Sequence, residues 1–234
     1  MRQIIHKADS RGHSLNDWLD SYHTFSFDQY YDPKRMHFGA LRVLNDDRIA
    51  AGGGFGIHPH SNMEIITIPL KGKLKHGDSK NNSSVIAPGD IQTMSAGSGI
   101  YHSEVNASND EAVEILQIWV MPEKLNTPPT YEDYDIRSLR RENELTLIVS
   151  PNGDAPASML QRTWFSMGEF KTGKVVKYQL HNVNYGVYIF VIEGKVKIGK
   201  TVLFRRDAMG VYDTEQVEIE VQKDSHILLI EVPL

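Results

Sequence analysis

The sequence predicts an all-β fold, built as sandwiches or barrels and divided into two related domains. Three observations carry this prediction. Runs of strand length that are rich in Val, Ile, Tyr and Phe recur between turn residues, helical character is confined to one stretch, and one hairpin pattern occurs twice. With 234 residues, the chain is long enough for one large domain or two ordinary ones.

Eight stretches spread along the chain are the predicted strands. Each concentrates apolar residues over strand length and borders on Gly, Pro, Asp or Asn, which favour turns. In chain order they are GALRVLNDD (39–47), EIITIPLKG (64–72), SVIAPGD (84–90), ILQIWVMP (115–122), LTLIVSP (145–151), YGVYIFVIEG (185–194), AMGVYD (208–213) and SHILLIEVP (225–233).

The stretch PTYEDYDIRSLRREN (129–143) is the predicted helix, because prolines precede a charged segment that carries spaced apolar residues. Before it lies MPEKLNTPP (121–129), a polar, proline-containing stretch that we predict to be a linker. We place the domain division at the end of this region, which predicts an N-terminal domain of residues 1–140 and a C-terminal domain of residues 141–234.

A short internal repeat supports two domains. The stretch IPLKGKLKHG (68–77) resembles FVIEGKVKIGK (190–200), so that Gly72 matches Gly194 within a shared Gly-Lys-x-Lys core. In both copies a strand is expected to turn at the glycine and to return as a second strand. The repeat therefore predicts duplication of one β unit.

Composition excludes several classes of protein. The chain has no cysteine, which excludes disulfides, thiolate nucleophiles and cysteine-ligated metals. Its net charge is −5 and its Lys and Arg residues are dispersed, which disfavours direct nucleic-acid binding. No apolar run approaches the roughly 20 residues of a membrane span, and the N-terminus lacks the apolar core of a secretory signal. We therefore expect a cytoplasmic protein that does not enter a membrane.

Two histidines two residues apart form the first half of a candidate metal site. In the stretch GGGFGIHPHSNMEI (52–65), His58 and His60 follow a glycine-rich turn, and Pro59 lies between them. Alternate residues of a strand project from the same face, so both imidazoles are expected to point at one place.

The stretch SAGSGIYHSEVN (95–106) shows the same pattern. His102 and Glu104 are again two residues apart after a glycine-rich turn. If the two strands are neighbours, His58, His60, His102 and Glu104 meet. Such a set suits one divalent transition ion, Fe, Mn, Co, Ni, Cu or Zn, and does not suit Ca or Mg. Four protein ligands on an octahedral ion leave two positions open, which favours a chemical role over a structural one.

The other histidines lack comparable partners, and the default expectation for them is a surface or hydrogen-bonded structural role. His23 is the exception, because it could form a hydrogen bond near the site. Glu64 follows His60 closely, but the SNM segment is expected to break the strand register. We therefore expect Glu64 outside the ligand set.

These residues resemble the pirin family, a branch of the cupin superfamily. The opening cupin pattern, a glycine followed after five residues by His-x-His, fits Gly52 to His60. The stretches HPHSNMEIIT (58–67) and PGDIQTMSAGSGIYHSE (88–104) look like the pirin version almost throughout. Further matches reach the N-terminus through RGHSLNDWLDSYHTFSFDQYYDP (11–33), and they are similar to bacterial quercetinase-type pirins.

The resemblance implies a bicupin, in which two β-barrel (double-stranded β-helix) domains face each other and the N-terminal one holds a metal. It also implies that His58, His60, His102 and Glu104 are the ligands, with iron as the expected ion. Counting back from Gly194, as His58 and His60 stand back from Gly72, leads to Leu180 and Asn182. We therefore expect no metal in the C-terminal domain.

Two functions of different class follow from the resemblance. The first is a metal-dependent dioxygenase similar to quercetin 2,3-dioxygenase, which opens the heterocycle of a flavonol with O2 and releases carbon monoxide. In it Glu104 is expected to accept the flavonol proton as the catalytic base. Aromatic residues of HTFSF (23–27), Phe38 or Phe55 could line its pocket, with the core as the alternative. The second function is a metal-containing, redox-sensing regulatory protein that binds a protein partner.

Overall fold

The computed structural model describes residues 1–234, and its regular secondary structure is almost entirely β-strand. Two 3-10 helices, Ala8–Ser10 and Arg137–Leu139, are the exceptions. The strands of the first half are β1 (Arg2–His6), β2 (Gly12–Leu15), β3 (Leu19–His23), β4 (Leu41–Ile49), β5 (Gly54–His60), β6 (Glu64–Lys71), β7 (Leu74–Asp78), β8 (Ser83–Ile86), β9 (Asp90–Ser95), β10 (Ile100–Asn106), β11 (Val113–Val120) and β12 (Thr130–Asp135).

The second half contains eight strands. They are β13 (Thr146–Ser150), β14 (Ala157–Ser158), β15 (Trp164–Phe170), β16 (Val175–Gln179), β17 (Tyr185–Ile198), β18 (Thr201–Phe204), β19 (Ala208–Tyr212) and β20 (Gln216–Pro233). Each of the eight stretches predicted from apolar patterning overlaps one of the strands of the two halves, so the all-β prediction is confirmed.

Two antiparallel sheets make up most of the first half. The larger has seven strands in the order β12-β9-β6-β11-β4-β3-β2, and the smaller has four in the order β5-β10-β7-β8. Apolar side chains join them near one end, where Ile49 and Ile115 of the larger sheet pack with Leu74 and Ile86 of the smaller one. The sheets therefore form a two-layer sandwich, and the candidate site residues lie on β5 and β10 of the smaller layer.

A single nine-stranded sheet forms the second half. Its path is β1-β19-β17-β20-β15-β13-β14, with β16 on β20 and β18 on β17. The long strand β20 pairs with β16 through its first part and with β15 through its last part. The sheet therefore bends over itself and encloses a core of 17 buried residues.

The repeat glycines lie at matching corners. Gly72 connects β6 to β7 and has a φ of 73°, and Gly194 has a φ of 98° where the pairing of β17 with β20 shifts register. Both angles lie in the left-handed region that favours glycine, because any Cβ there is strained. In each half the chain passes the glycine and continues as a strand with a new partner.

The two halves pack face to face through a common core. This core contains 25 buried residues, among them Leu44 and Ile118 from the first half and Phe190 and Leu228 from the second. The first strand also crosses between the halves, because β1 pairs along its whole length with β19. The predicted division at residues 140 and 141 remains a prediction, and β1 lies in the sheet of the C-terminal half.

The helix predicted over residues 129–143 is wrong. Its first part is the strand β12, which pairs with β9 over six residues, and only Arg137–Leu139 form a short 3-10 helix. Tyr131 anchors this strand, since its hydroxyl accepts a hydrogen bond from Gln92 Nε2 at 2.7 Å. Edge pairing and this contact override the local helical propensity. No helix in the structure combines the length and the apolar character needed to cross a membrane.

Candidate metal centre

The three predicted histidines converge at the paired strands β5 and β10. His102 lies directly opposite His58, and Ile100 lies opposite His60. The imidazole centroids are 4.4 Å apart for His58 and His102, and 4.8 Å apart for His60 and either neighbour. One donor nitrogen from each ring lies within 4.8 Å of the others. The two-residue spacing of HPH therefore brings the rings of His58 and His60 to one place, as strand alternation predicts.

The glycine-rich turn before HPH allows the close approach of these strands. A Cβ on Gly54 would lie 2.4 Å from Val105 Cα, which is closer than two carbon atoms can pack. Between His102 and Glu104 the pairing of β10 with β5 shifts register, as at a β-bulge. Such an irregularity re-aims a side chain, and here it affects Glu104.

Glu104 belongs to a different cluster from His58 and His60. Its carboxylate groups with His102 and His76, and one donor atom of each lies within 4.8 Å of the other two. The four residues predicted as ligands are therefore divided, with His102 common to both clusters. Glu104 is fully buried, and its carboxylate accepts hydrogen bonds from Gln117 Nε2 at 2.6 Å and Thr67 Oγ1 at 3.2 Å.

The contacts of Thr67 complete a ring that fits a protonated Glu104. Thr67 Oγ1 lies 3.2 Å from Glu104 Oε1 and 2.8 Å from Gln117 Oε1, but its hydroxyl has only one hydrogen. With a proton on Oε1, Glu104 donates to Thr67, Thr67 donates to Gln117 Oε1, and Gln117 Nε2 donates to Glu104 Oε2. Every polar atom of the ring then has a partner, so the ring can store a proton on Glu104.

The unpaired nitrogens of the cluster fit a metal ion. His102 is 2% exposed, and neither of its ring nitrogens has a hydrogen-bond partner. A buried polar atom without a partner is costly, and a bound metal removes that cost at a ligating nitrogen. His58 Nδ1 donates to the Gly56 carbonyl at 2.8 Å, which leaves the lone pair on Nε2. Imidazole and carboxylate donors are those of first-row transition metals.

Burial changes the proton affinity of these groups in opposite directions. Burial, followed by the neighbouring His58, lowers the pKa of His60 to about 4. Burial also lowers the pKa of His102 strongly, with further contributions from His58 and His60. Burial raises the pKa of Glu104 to about 7, against the effect of its hydrogen bonds from Thr67 and Gln117. His60 and His102 are therefore held neutral, as metal binding requires, while Glu104 takes up a proton near neutral pH.

A cavity of about 400 Å³ adjoins the cluster and is lined by His58, His60 and Glu104. Aromatic and polar side chains share its walls. They are Phe27, Phe55 and Trp119 on the one hand and His23, Asn45 and Asp47 on the other.

The expectations for the pocket residues are therefore met in part. His23 lies at the pocket, and its ring forms hydrogen bonds with Asn45 Oδ1 at 3.0 Å and Ser14 Oγ at 2.9 Å. Phe27 and Phe55 also line the pocket. Phe25 and Phe38 belong instead to the shared core.

Glu64 lies outside both clusters and connects the two halves of the chain. It is fully buried and accepts hydrogen bonds from the backbone N–H groups of Leu160 and Gln161, each at 2.7 Å. Ser95 Oγ donates a third bond at 2.9 Å. The sequence contains no signal for this role, because the loop that supplies the backbone donors is distant in the chain.

Sequence reasoning missed His76, which was assigned a default role. It lies on β7, directly opposite Glu104 in the sheet, and its ring stacks on Tyr131 with centroids 4.2 Å apart. His76 and Asp78 are two residues apart on one strand, which is the spacing that identified the other two pairs. The same pattern could have found His76. Both clusters of potential metal donors lie between residues 58 and 104.

Comparisons with known proteins agree with this architecture. A family profile described as Pirin matches residues 5–120, and one described as Quercetinase C-terminal cupin domain matches residues 147–232. The chain is 38% identical over 232 residues to a quercetin 2,3-dioxygenase of Escherichia coli, covering 98% of each chain. It is 36% identical over 225 residues to a pirin-like protein of Caulobacter vibrioides, covering 95% of this chain and 96% of that one.

A solved structure matches equally closely. The crystal structure of the bacterial pirin YhhW in complex with nickel(II), from Escherichia coli, has a TM-score of 0.94 at 37% identity, and the match covers 99% of each chain.

Proposed function

The chain belongs to the pirin family, and from that premise we propose that it is a metal-dependent dioxygenase that opens a flavonol ring with O2 and releases carbon monoxide. The proposed ligands are His58, His60, His102 and Glu104. The named activity of the Escherichia coli relative supports this reaction class. A cytoplasmic location remains part of the proposal.

The observation that carries the proposal is the cavity beside the histidine cluster. Its volume of about 400 Å³ lies within the roughly 300–1,000 Å³ typical of small-molecule sites. Phe27, Phe55 and Trp119 offer apolar walls for a planar aromatic molecule, while His58 and His60 lie where its oxygens would bind. A purely structural metal site would have no need of such a cavity.

A metal bound by these residues would coordinate the flavonol oxygens and lower the pKa of the hydroxyl group. The protein itself handles the proton. Glu104 accepts it on Oε1, where Thr67 Oγ1 becomes the acceptor of the new O–H group. A base whose pKa lies at about 7 is well matched to proton transfer at neutral pH. Gln117 holds the second carboxylate oxygen and fixes the orientation of the base.

Iron is the ion that we propose for the native protein. Neutral imidazoles with one carboxylate suit Fe(II) oxygenases, although they also bind Zn, Mn, Co, Ni and Cu. The nickel(II) complex of the Escherichia coli pirin supports binding of a divalent transition ion by this fold.

Oxygen consumption with a flavonol panel tests the proposal. The iron-loaded wild-type protein should consume one O2 and release one CO for each flavonol opened, and His60→Ala should abolish this reaction. His37→Ala is the matched control, because His37 forms only a hydrogen bond with the Gly39 carbonyl. A metal-loaded protein that is inert towards every flavonol would contradict the enzymatic proposal and favour the regulatory alternative.

A further inference from the structure

The second cluster, formed by His76, His102 and Glu104, is more deeply buried than the three-histidine cluster. His76 is 1% exposed, and His102 and Glu104 are each 2% exposed. Their donor atoms all lie within 4.8 Å of one another. A carboxylate and two imidazoles are thus held together in the protein interior, and of the three only Glu104 reaches the cavity that His58 and His60 line.

His76 presents an unused lone pair within this cluster. Its Nε2 lies 3.2 Å from Asp78 Oδ2, and an ionised carboxylate can only accept, so the Nε2 hydrogen points to Asp78. The lone pair is therefore on Nδ1, which is buried and has no hydrogen-bond partner. A carboxylate behind the outer nitrogen of an imidazole is the arrangement that orients metal-binding histidines.

Asp78 does not depend on His76 for its own hydrogen bonds. It also accepts from Asn82 Nδ2 at 2.8 Å and from the Lys80 backbone N–H at 2.8 Å. The hydrogen bonds that hold the turn after β7 therefore do not require His76. A structural role for His76 explains its contact with Asp78 but leaves Nδ1 unexplained.

His102 lies between the two clusters and has two free nitrogens. Its ring centroid is 4.4 Å from that of His58 on one side and 5.3 Å from that of His76 on the other. Neither of its ring nitrogens has a hydrogen-bond partner. His102 can therefore serve either cluster without first breaking a contact.

We infer that His76, His102 and Glu104 form an inner position for a divalent transition ion, an alternative to the outer position at which His102 and Glu104 act together with His58 and His60. This inference rests on the proposed metal site and deepens it. Two imidazoles and one carboxylate are the donor set typical of Fe(II) oxygenases, so the inner position is a complete donor set without His58 and His60.

A variant without the outer ligands isolates the inner position. His58→Ala/His60→Ala removes two residues that lie at the cavity and leaves His76, His102 and Glu104 intact. We expect it to retain one Cu²⁺ per chain in equilibrium dialysis, with hyperfine coupling to two nitrogens in its electron paramagnetic resonance spectrum. Adding His76→Phe should weaken Cu²⁺ binding by more than the roughly 10–100-fold that loss of an outer-shell partner costs.

The substitution of Phe keeps the size of the ring and its stacking on Tyr131, so the fold is expected to persist. Near-ultraviolet circular dichroism verifies this for each variant. His226→Phe is the matched control, because His226 Nε2 is also buried without a partner but lies outside both donor clusters. Combined with the double variant, it should leave Cu²⁺ binding unchanged.

The outcomes separate this inference from the proposed function. Cu²⁺ binding by the wild type together with loss of all binding in His58→Ala/His60→Ala overturns the inner position and leaves the proposed site intact. Retained binding that is insensitive to His76→Phe also overturns it. A wild-type protein that binds neither Cu²⁺ nor Ni²⁺ contradicts the proposed metal site itself.

Discussion

The two halves of the molecule share a repeated corner but differ in how their histidines are paired. In the first half, β5 ends with His58 and His60, and His102 opposite them has no hydrogen-bond partner. In the second half, β16 is followed by His181, whose Nδ1 bonds Glu231 Oε2 at 2.8 Å. Since His226 in the second half also has a buried nitrogen without a partner, the difference teaches that histidines become available for chemistry where several such nitrogens converge.

The buried glutamates show the same contrast. Glu231 accepts bonds from Tyr178 Oη, from the ring of His181 and from the backbone N–H groups of His181 and Asn182. Glu104 has only two side-chain donors, and burial raises its pKa to about 7. Backbone donors cannot move away, so Glu231 is a fixed structural group, whereas Glu104 can exchange a proton.

Loss of His102 should have the largest effect, because both clusters use it. In the wild type, Ni²⁺ at 100 times its dissociation constant should raise the free energy of unfolding by about 2.7 kcal/mol. His102→Ala should abolish this increase, and His181→Ala should preserve it. Urea unfolding with and without Ni²⁺ measures both. An equal loss in the two variants would remove the contrast between the halves.

Neutralising Glu231 and Glu104 in turn should destabilise the second half and spare the first. Glu231→Gln places an amide N–H group against backbone donors, and we expect a loss of about 2 kcal/mol from unsatisfied buried groups. Glu104→Gln replaces a carboxyl that is already readily protonated near pH 7, so its stability should change by less than about 1 kcal/mol. Urea unfolding at pH 7 compares them. Similar losses would show that both carboxylates are structural.

Lowering the pH should reveal how β1, the strand that crosses between the halves, contributes to the free energy of unfolding through His6. Burial, reinforced by Arg35, lowers the pKa of His6 to about 4 in the folded state, compared with about 6.5 in the unfolded state. The unfolded chain therefore binds the proton more tightly, and stability is lost as the pH falls from about 6.5 to about 4.

The replacement of His6 by Gln isolates this effect. The amide oxygen of Gln can accept the Tyr188 Oη bond that His6 Nδ1 accepts at 2.6 Å, but it does not titrate. Between pH 7 and pH 5, wild-type stability should fall more than that of His6→Gln, by on the order of 2 kcal/mol. Urea unfolding at both pH values measures the difference. Parallel pH dependence in the two proteins would refute the assignment.

The smallest effect is expected from the hydrogen-bond ring around Glu104. Thr67 donates to the ionised form of Glu104 and accepts from the protonated form, and the bond to the charged form is the stronger one, so it lowers the pKa of Glu104. Thr67→Val should therefore raise this pKa. The acidic limb of the pH–rate profile for flavonol opening should then move to higher pH by less than about one unit, since the loss of one hydrogen bond is worth about 1 kcal/mol. Thr93→Val, at a buried threonine on β9, is the control. An unchanged profile in Thr67→Val would argue against the ring.

Local sequence patterns predicted the strands and the meeting of three histidines. Strand alternation places residues two positions apart on the same face. The motifs HPH and HSE are therefore each sufficient to predict that their own two side chains point the same way. Glu104 does not join His58 and His60 in one donor cluster. The strand register shifts after His102, and the donors Thr67 and Gln117 hold the Glu104 carboxylate near His76. Those donors lie on other strands, and their approach depends on the packing of two sheets.

Long-range pairing explains the other differences. The sequence pattern predicts a helix that includes Thr130–Asp135, but the edge of β9 offers this segment six residues of pairing. Glu64 was correctly separated from the histidine cluster by register, although its partners Leu160 and Gln161 belong to a distant loop. Such partners have no local signature, because tertiary contacts decide them.

The pairing of β1 with β19 also constrains the order of events during synthesis. Arg2 is synthesised long before its partner in the sheet, Tyr212. The strand must wait unpaired while the residues between β1 and β19 are translated, at about 5–20 residues per second. The first half can form its own two sheets in that interval, but the leading strand takes its place only at the end. The pairing of β1 with β19 is therefore expected to be a late step of folding, and its timing depends on translation rather than on metal binding.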